Sequence, residues 1–382
     1  MGGRSKKCEG YTLSGQPCRR RIPIGQHYCS SHSRAAEIGL PPFISITPTE
    51  SFWIFMPMGQ PDWHVGGYAN VTFKCLSTDQ EYSIDRYVSE GTYGAVYFGS
   101  RKIDAKHVAI KVSKEIYRNN SRRRIVEFDF VKEFYMHSAV RDRVKGNGVV
   151  VKMVDAFFIK TTKGLHGCIA MEKMDGNLED LFDHFEGLNQ VEVLRFWIYA
   201  CNFIAGALLQ LHANDIYHLD IKPSNVLWRR TRGQGRGIYL RLVDLGLGCY
   251  LGKIEGRDAP KMPCNATGTY IPVEWRKDGD KSTPTFEEIE DPKKLQSGET
   301  YALFVTCHKM LRRVMPRLYS RNARIGNLIE IINRGMVDSP AVRGTVSIGL
   351  MHDYTAELLS EMDAALSDMD DSLIIILPHP TR

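Results

Sequence analysis

The sequence has no apolar run near the roughly 20 residues needed to cross a bilayer; its longest purely apolar stretches, such as Leu373 to Leu377, fall far short. It also lacks the marks of a secreted chain. "MGGRSK" is not followed by the apolar stretch and small-residue cleavage site of a signal peptide, and Ser5 stands one place too early for N-myristoylation. Of nine cysteines, six (Cys75, Cys168, Cys201, Cys249, Cys264 and Cys307) are scattered, unlike the clustered framework of a small disulfide-bonded domain. Internal repeats and low-complexity tracts are missing too. These absences lead us to expect an intracellular protein, cytoplasmic or nuclear, with reduced thiols and no membrane partner. The 382 residues, 43% hydrophobic and 25% charged, have an ordinary globular composition with room for one large or two medium domains.

The formal charge of +6 is unevenly placed. Residues 1–34 hold Arg4, Lys6, Lys7, Arg19, Arg20, Arg21 and Arg34 against Glu9 alone, and in the rest of the chain the two signs cancel. The same segment carries Cys8, Cys18, Cys29 and His32 in the spacing C-x9-C-x10-C-x2-H. Three thiolates and an imidazole suit a tetrahedral Zn²⁺ site, with His27 as a substitute ligand, and in so short a module the metal supplies the folding energy. The alternative is a basic tail whose thiols hold nothing. The Arg19 to Arg21 cluster is open to three readings: contact with nucleic acid or protein, an import signal, or a solvated face. Residues 35–80 form a Pro- and aromatic-rich extension; Phe52, Trp53 and Phe55 suggest packing on a neighbouring surface rather than a free tether.

From about residue 82, alternating apolar residues and β-branched runs predict strands. "VSEGTYGAVYFG" places Gly91 and Gly94 between two of them, where a missing Cβ lets backbone N–H groups approach phosphate oxygens. Farther on, "NQVEVLRFWIYACNFIAGALLQLH" has the pattern of a long amphipathic helix. It leads into "DIYHLDIKPSNVLW", and then "LRLVDLGLG" reads as a strand ending in Asp244.

Taken together, these stretches resemble the protein kinase family over roughly residues 82–350. The resemblance implies an α+β, two-lobed kinase-like fold, with a small β-rich lobe and hinge over 81–174 and a mainly helical lobe, reduced in its distal part, over 175–382. Lys111, in V-A-I-K seventeen residues after Gly94, matches the Lys that holds the α- and β-phosphates of ATP. Its carboxylate partner is Glu127 or Glu133, and the helical spacing of Met136 and Val140 favours Glu133. "CIAMEKMDGNLEDLF" matches the hinge: Met171 guards the adenine pocket, the backbone of Glu172 and Met174 meets the adenine edge, and Val96, Ala109 and Leu227 sandwich the base.

Within H-L-D-I-K-P-S-N, the resemblance makes Asp220 the residue that takes or orients the substrate hydroxyl proton and Lys222 the one that steadies the transferred group. Asn225 and Asp244 (in D-L-G) then hold Mg²⁺. Lys222 is the Ser/Thr-kinase form, so protein substrates with Ser or Thr hydroxyls are expected. Thr267 takes the place of the Thr that contacts the catalytic Asp, Glu299 stands at the Asp position of the core helix, and Arg343 is set to pair with Glu274.

The departures are Ser89 for the leading loop Gly, Leu219 for the Arg that binds a phosphorylated activation segment, Leu245 for Phe, and Pro272-Val273 for Ala-Pro. Leu219 implies activity independent of phosphorylation on that segment. The competing expectation is a pseudokinase that binds nucleotide or serves as a scaffold. The intact charged set, Lys111, Asp220, Lys222, Asn225 and Asp244, favours the enzyme.

Overall fold

The computed structural model describes residues 5–7, 21–23, 53–55, 71–74, 81–91, 94–113, 123–144, 148–160, 165–182, 185, 190–231, 237–254, 257–258, 268–276, 291–314, 323–337 and 339–367. The proposed zinc ligands Cys8, Cys18, Cys29 and His32, the substitute His27, and Thr267 lie outside them. The described residues fall into two units. The first takes those within Met1–Tyr135, Lys152–Lys173 and Gly252–Lys261, and the second those within Met136–Val151, Met174–Leu251 and Met262–Arg382.

In the first unit, β1 (Ser5–Lys7) pairs antiparallel with β2 (Arg21–Pro23). The main sheet has seven strands: β3 (Trp53–Phe55), β4 (Val71–Lys74), β5 (Glu81–Glu90), β6 (Gly94–Arg101), β7 (Lys106–Ser113), β8 (Met153–Lys160) and β9 (Leu165–Glu172), in the order β3-β8-β9-β7-β6-β5-β4. Strict alternation sends Val108, Ile110 and Val112 of β7 into a core with Tyr82, Ile84, Tyr97, Phe157, Cys168 and Ala170. The intervening residues face the other side. One difference from the sequence reading is that the extension is not only a covering segment. Its residues 53–55 and 71–74 become the two edge strands, β3 parallel to β8 and β4 antiparallel to β5.

Helix α1 (Arg123–Arg143) gives its residues up to Tyr135 to this unit. The Phe130 ring lies against β9 at Gly167, where an added Cβ would come within 2.4 Å of the ring. Only Gly permits that approach.

The second unit is mainly helical: α2 (Leu178–Phe182), α3 (Gln190–His212), α4 (Pro292–Val314), α5 (Ala323–Gly335), α6 (Pro340–Arg343) and α7 (Ile348–Ser367). By length and composition α3 is apolar enough to cross a membrane. Its apolar residues are spent otherwise: Phe196, Trp197, Ile204, Leu208 and Leu211 are among those it buries in the protein core. Polar contacts fix its neighbours. Trp197 Nε1 donates to the Cys307 carbonyl of α4 at 3.0 Å, and Asn202 Nδ2 donates to the His352 carbonyl and Thr355 Oγ1 of α7 at 2.9 and 3.0 Å.

Short strands frame the loops: β10 (Gly176–Asn177), β12 (Val226–Arg230) and β13 (Ile238–Leu242) form one sheet, and β11 (Ile216–Tyr217) pairs with β14 (Cys249–Tyr250).

Truncating Leu208, fully buried on α3, to Ala should cost about 2–5 kcal/mol through the cavity it leaves. The same change at its exposed neighbour Leu209 should stay within about 0.5 kcal/mol. Urea denaturation midpoints compare the two, and equal midpoints would refute the core role of α3.

Candidate active site

The first unit contributes a face and an ion pair. Val96 is registered opposite Lys111, Phe98 opposite Ala109, and Ala109 opposite Met171. Cross-strand partners in an antiparallel sheet share a face, so Val96, Ala109, Lys111 and Met171 all lie on the side away from the core. At the β5–β6 hairpin the Gly91 N–H donates to the Gly94 carbonyl at 2.8 Å. Gly94 has no room for a side chain, since a Cβ would meet the Val112 carbonyl at 2.4 Å.

Lys111 Nζ donates to both carboxylate oxygens of Glu133, at 2.8 and 2.7 Å. Of the two carboxylates weighed from the sequence, Glu133 makes this pair. Both members are largely buried, so the geometry is set by packing rather than by surface charge. The Glu172 side chain turns to accept the Lys152 N–H at 2.9 Å, while its own N–H donates to the Lys152 carbonyl at 2.9 Å.

The second unit holds the loop 218–225 between β11 and a 3₁₀ turn (Pro223–Asn225) that enters β12. His218 is fully buried. Its Nε2–H donates to the Val243 carbonyl at 3.0 Å, which leaves Nδ1 to accept the Asp220 N–H at 3.3 Å and so sets the tautomer.

Leu219 has φ 62, a left-handed conformation that is costly for a side chain of this size. The Glu299 carboxylate stabilises it. Glu299 Oε1 accepts the N–H groups of His218 and Leu219, both at 2.7 Å, and Oε2 accepts from His212 Nε2. The Leu219 side chain enters an apolar cluster with Tyr217, Cys249, Ile271, Trp275 and Leu295.

Asp220, 3% exposed, follows directly. Its Oδ2 accepts from Lys222 Nζ at 2.7 Å and from Asn225 Nδ2 at 2.7 Å, and Asn225 Nδ2 also donates to the Asp220 carbonyl at 2.8 Å. With the amide nitrogen of Asn225 committed to Asp220, Oδ1 is the atom of that side chain able to act as an oxygen ligand. The Val243 N–H donates to the Asn225 carbonyl at 3.0 Å, which ties the loop to the residue before Asp244.

Asp244 is also left-handed, φ 67, and opens a 3₁₀ turn (Leu245–Leu247) in which Leu245 is fully buried. Oxygen donors from Asn225 and Asp244 fit the preference of Mg²⁺ for hard ligands. Met174 is buried in this unit, and Leu227 is half-buried on β12 opposite Arg241. Arg343, 1% exposed, pairs with Glu274 and donates from Nη1 to the Val337 carbonyl at 3.0 Å.

Sequence reasoning missed two features. One is the His212–Glu299 pair. The other is a cationic group at the end of α4, where the Lys309 ammonium lies 4.1 Å over the Tyr270 ring and donates to Thr269 Oγ1 at 2.6 Å. The string "HKMLRR" carried that signal, but nothing local links it to residues 269–270.

Comparison with known proteins agrees with this geometry. Residues 82–287 match the protein kinase domain model, more than half of the chain, so the chain belongs to the protein kinase domain family. It is similar to dual specificity tyrosine-phosphorylation-regulated kinase 2 of Drosophila melanogaster, 29% identical over 192 residues, which cover 48% of this chain and 23% of that protein. It is also similar to mitogen-activated protein kinase 15 of Caenorhabditis elegans, 25% identical over 199 residues, covering 51% and 37%. The chain thus spans well under two thirds of the length of these curated relatives. Among solved structures, the ROP18 kinase domain in complex with AMP-PNP and sucrose matches with TM-score 0.55 at 14% identity, covering 80% of this chain and 88% of that one. The BubR1 kinase domain matches with TM-score 0.52 at 17% identity, covering 88% and 95%. At these identities the structural matches show a kinase-like fold.

Removing the Glu299 carboxylate tests what holds the loop. Glu299→Ala leaves two buried N–H groups without an acceptor, at about 1–3 kcal/mol each, so a total loss of about 3 kcal/mol or more is expected. Glu299→Gln keeps an acceptor oxygen and should lose less. An Ala variant within about 0.5 kcal/mol of the parent by chemical denaturation would show that the loop is held some other way.

Proposed function

We propose that the protein transfers the γ-phosphoryl group of ATP to Ser or Thr hydroxyls of protein substrates, without needing phosphorylation of its own activation segment. The observation that carries this reading is the Asp220–Lys222–Asn225 network: a buried carboxylate held at one oxygen by a Lys and an Asn. A carboxylate so oriented suits proton removal from a hydroxyl.

In this reading Asp220 accepts the substrate hydroxyl proton as that oxygen bonds to the γ-phosphorus. The bond from that phosphorus to the β–γ bridging oxygen breaks, and ADP leaves with the electron pair. Lys222 moves its charge toward the transferred group, stabilising the transition state more than the ground state. Lys111, fixed by Glu133, orients the α- and β-phosphates, and Gly91 and Gly94 let backbone N–H groups approach them. Val96, Ala109, Met171 and Leu227 offer apolar contact to the adenine, with backbone groups of Glu172 and Met174 for its edge. Mg²⁺, held by Asn225 and Asp244, neutralises phosphate charge when bound. Lys222 two places after Asp220 supports the Ser/Thr preference.

Independence from activation-segment phosphorylation rests on Leu219. An Arg there pairs with a phosphate by charge-assisted hydrogen bonds; Leu219 instead shares an apolar cluster with Ile271 of that segment and with Trp275 just after it. Apolar contact does the holding.

Labelled-ATP transfer tests the reading. Asp220→Asn should lower the rate by at least about 10²-fold, the scale of a lost acid–base group, while leaving ATP binding in place. Phosphatase treatment of the parent should leave the rate within about twofold, far from the tens-fold range of a coupling through a bound phosphate. Absence of transfer in the parent despite ATP binding would support the pseudokinase reading.

For residues 1–34, the spacing of Cys8, Cys18, Cys29 and His32 supports a separable zinc module that contacts nucleic acid or protein. Elemental analysis should find zinc in the purified protein, lost in Cys29→Ser with ATP binding kept; a zinc-free parent would sink this part.

A further inference from the structure

The end of α4 gathers positive charge on one face. Lys309, Arg312 and Arg313 flank Met310 and Leu311, which are buried at 1% each, while burial and the charge of Arg312 hold the neighbouring His308 toward its neutral form. Lys309 and Arg313 lie four residues apart, so they project side by side, and both are exposed.

Their surroundings place this face near the reacting group. Lys309 caps the Tyr270 ring and holds Thr269. The Tyr270 phenol is pushed up to about 12, first by burial and then by the Glu179 and Asp220 carboxylates. One turn back along α4, the Thr306 hydroxyl donates to the carbonyl of Ile221, the residue after the proposed catalytic Asp220, at 3.1 Å, so the Lys309 side of the helix is the side that meets that loop.

The balance of charge is positive. Arg313 is engaged with α2, donating to the Glu179 carbonyl at 2.9 Å and lying 3.4 Å from its carboxylate. Among the described residues, Lys309 makes no ion pair within 4 Å; Glu179 acts on it only at longer range. Burial, and then the like charge of Arg313, disfavour its ammonium form. A cation held over an aromatic ring, partly stripped of water and beside a second cation, gains from an incoming anion without breaking an internal pair.

Resting on the protein-kinase reading above, we propose that Lys309, with Arg313 beside it, reads an acidic side chain of the peptide substrate next to the phosphoacceptor hydroxyl. The recognised chemistry is a carboxylate or a phosphate on a neighbouring residue. A basic side chain at that position is repelled, so the same pair selects against basic substrates.

A full-chain assay tests this. Ser peptides carrying Asp, phosphoserine or Arg at each flanking position are compared for kcat/KM with the parent, Lys309→Glu and Lys309→Met. The parent should prefer an anionic neighbour at one position by about tenfold or more, the scale of one charge-assisted hydrogen bond. Lys309→Glu should invert the ratio of acidic to basic efficiencies, and Lys309→Met should flatten it. The Asp and phosphoserine arms tell an acidic from a prephosphorylated substrate.

A ratio unchanged in Lys309→Glu, with all peptides slowed alike, overturns the proposal and makes Lys309 a clamp on Tyr270. If the parent transfers to no peptide, the kinase reading has failed and a binding arm decides the inference separately. A fluorescent acidic peptide with Ala in place of Ser should bind the parent and be released by Lys309→Glu; no binding, or binding that ignores the variant, overturns it.

Discussion

One buried carboxylate supports the loop 218–225 that carries the proposed catalytic residues. Glu299 accepts the N–H groups of His218 and Leu219 with a single oxygen, at the point where Leu219 takes φ 62. A left-handed residue of this size costs about 1–2 kcal/mol, a strain that two short bonds to a charged acceptor offset. His212 holds the other oxygen and so fixes the carboxylate's rotation. Everything after Leu219 inherits its direction from this point, including the side chain of Asp220 and the turn that brings Asn225 back to it. The helix carrying Glu299 is itself set in depth by the Trp197 bond to the Cys307 carbonyl and by Thr306, whose hydroxyl donates to the Ile221 carbonyl at 3.1 Å. The geometry of this loop is a consequence of helix packing.

In the proposed function, the same strained residue determines what kind of control the loop allows. A charged side chain at position 219 would demand a counter-charge, supplied or withdrawn by modification. Leu219 is 3% exposed among Tyr217, Cys249, Ile271, Trp275 and Leu295, and burial of that kind is insensitive to ionic strength and to phosphate. On the proposed function, a contact that is always made replaces one that is made on demand.

What was legible in the sequence follows from how local each signal is. Asp220, Lys222 and Asn225 lie within six residues and are bound by one turn, so their spacing alone announces their geometry. The alternation along β7 likewise places Val108, Ile110 and Val112 on one side and Ala109 and Lys111 on the other. Glu133 was separable from Glu127 because a helix repeats every 3.6 residues. The edge strands Trp53–Phe55 and Val71–Lys74 were not legible. Three or four residues carry too little periodicity to be told from an extended tether, and their pairing is decided by the sheet edge they meet. The His212–Glu299 and Lys309–Tyr270 contacts join positions 87 and about 40 residues apart, and no local pattern encodes such a meeting.

Successive turns of α4 link these features. Glu299 and Thr306 hold the loop that carries Asp220, and one turn farther along the same side Lys309 and Arg313 meet Tyr270 and α2. A helix is stiff along its length, because each turn is bonded to the next. A shift that loosened the Glu299 contacts would therefore also carry Lys309 off the Tyr270 ring. Orientation of Asp220 and the charge presented beside it are thus set by one rigid body. Substrate preference and catalytic competence should respond together to buried substitutions in α4, and separately only to substitutions on its exposed face.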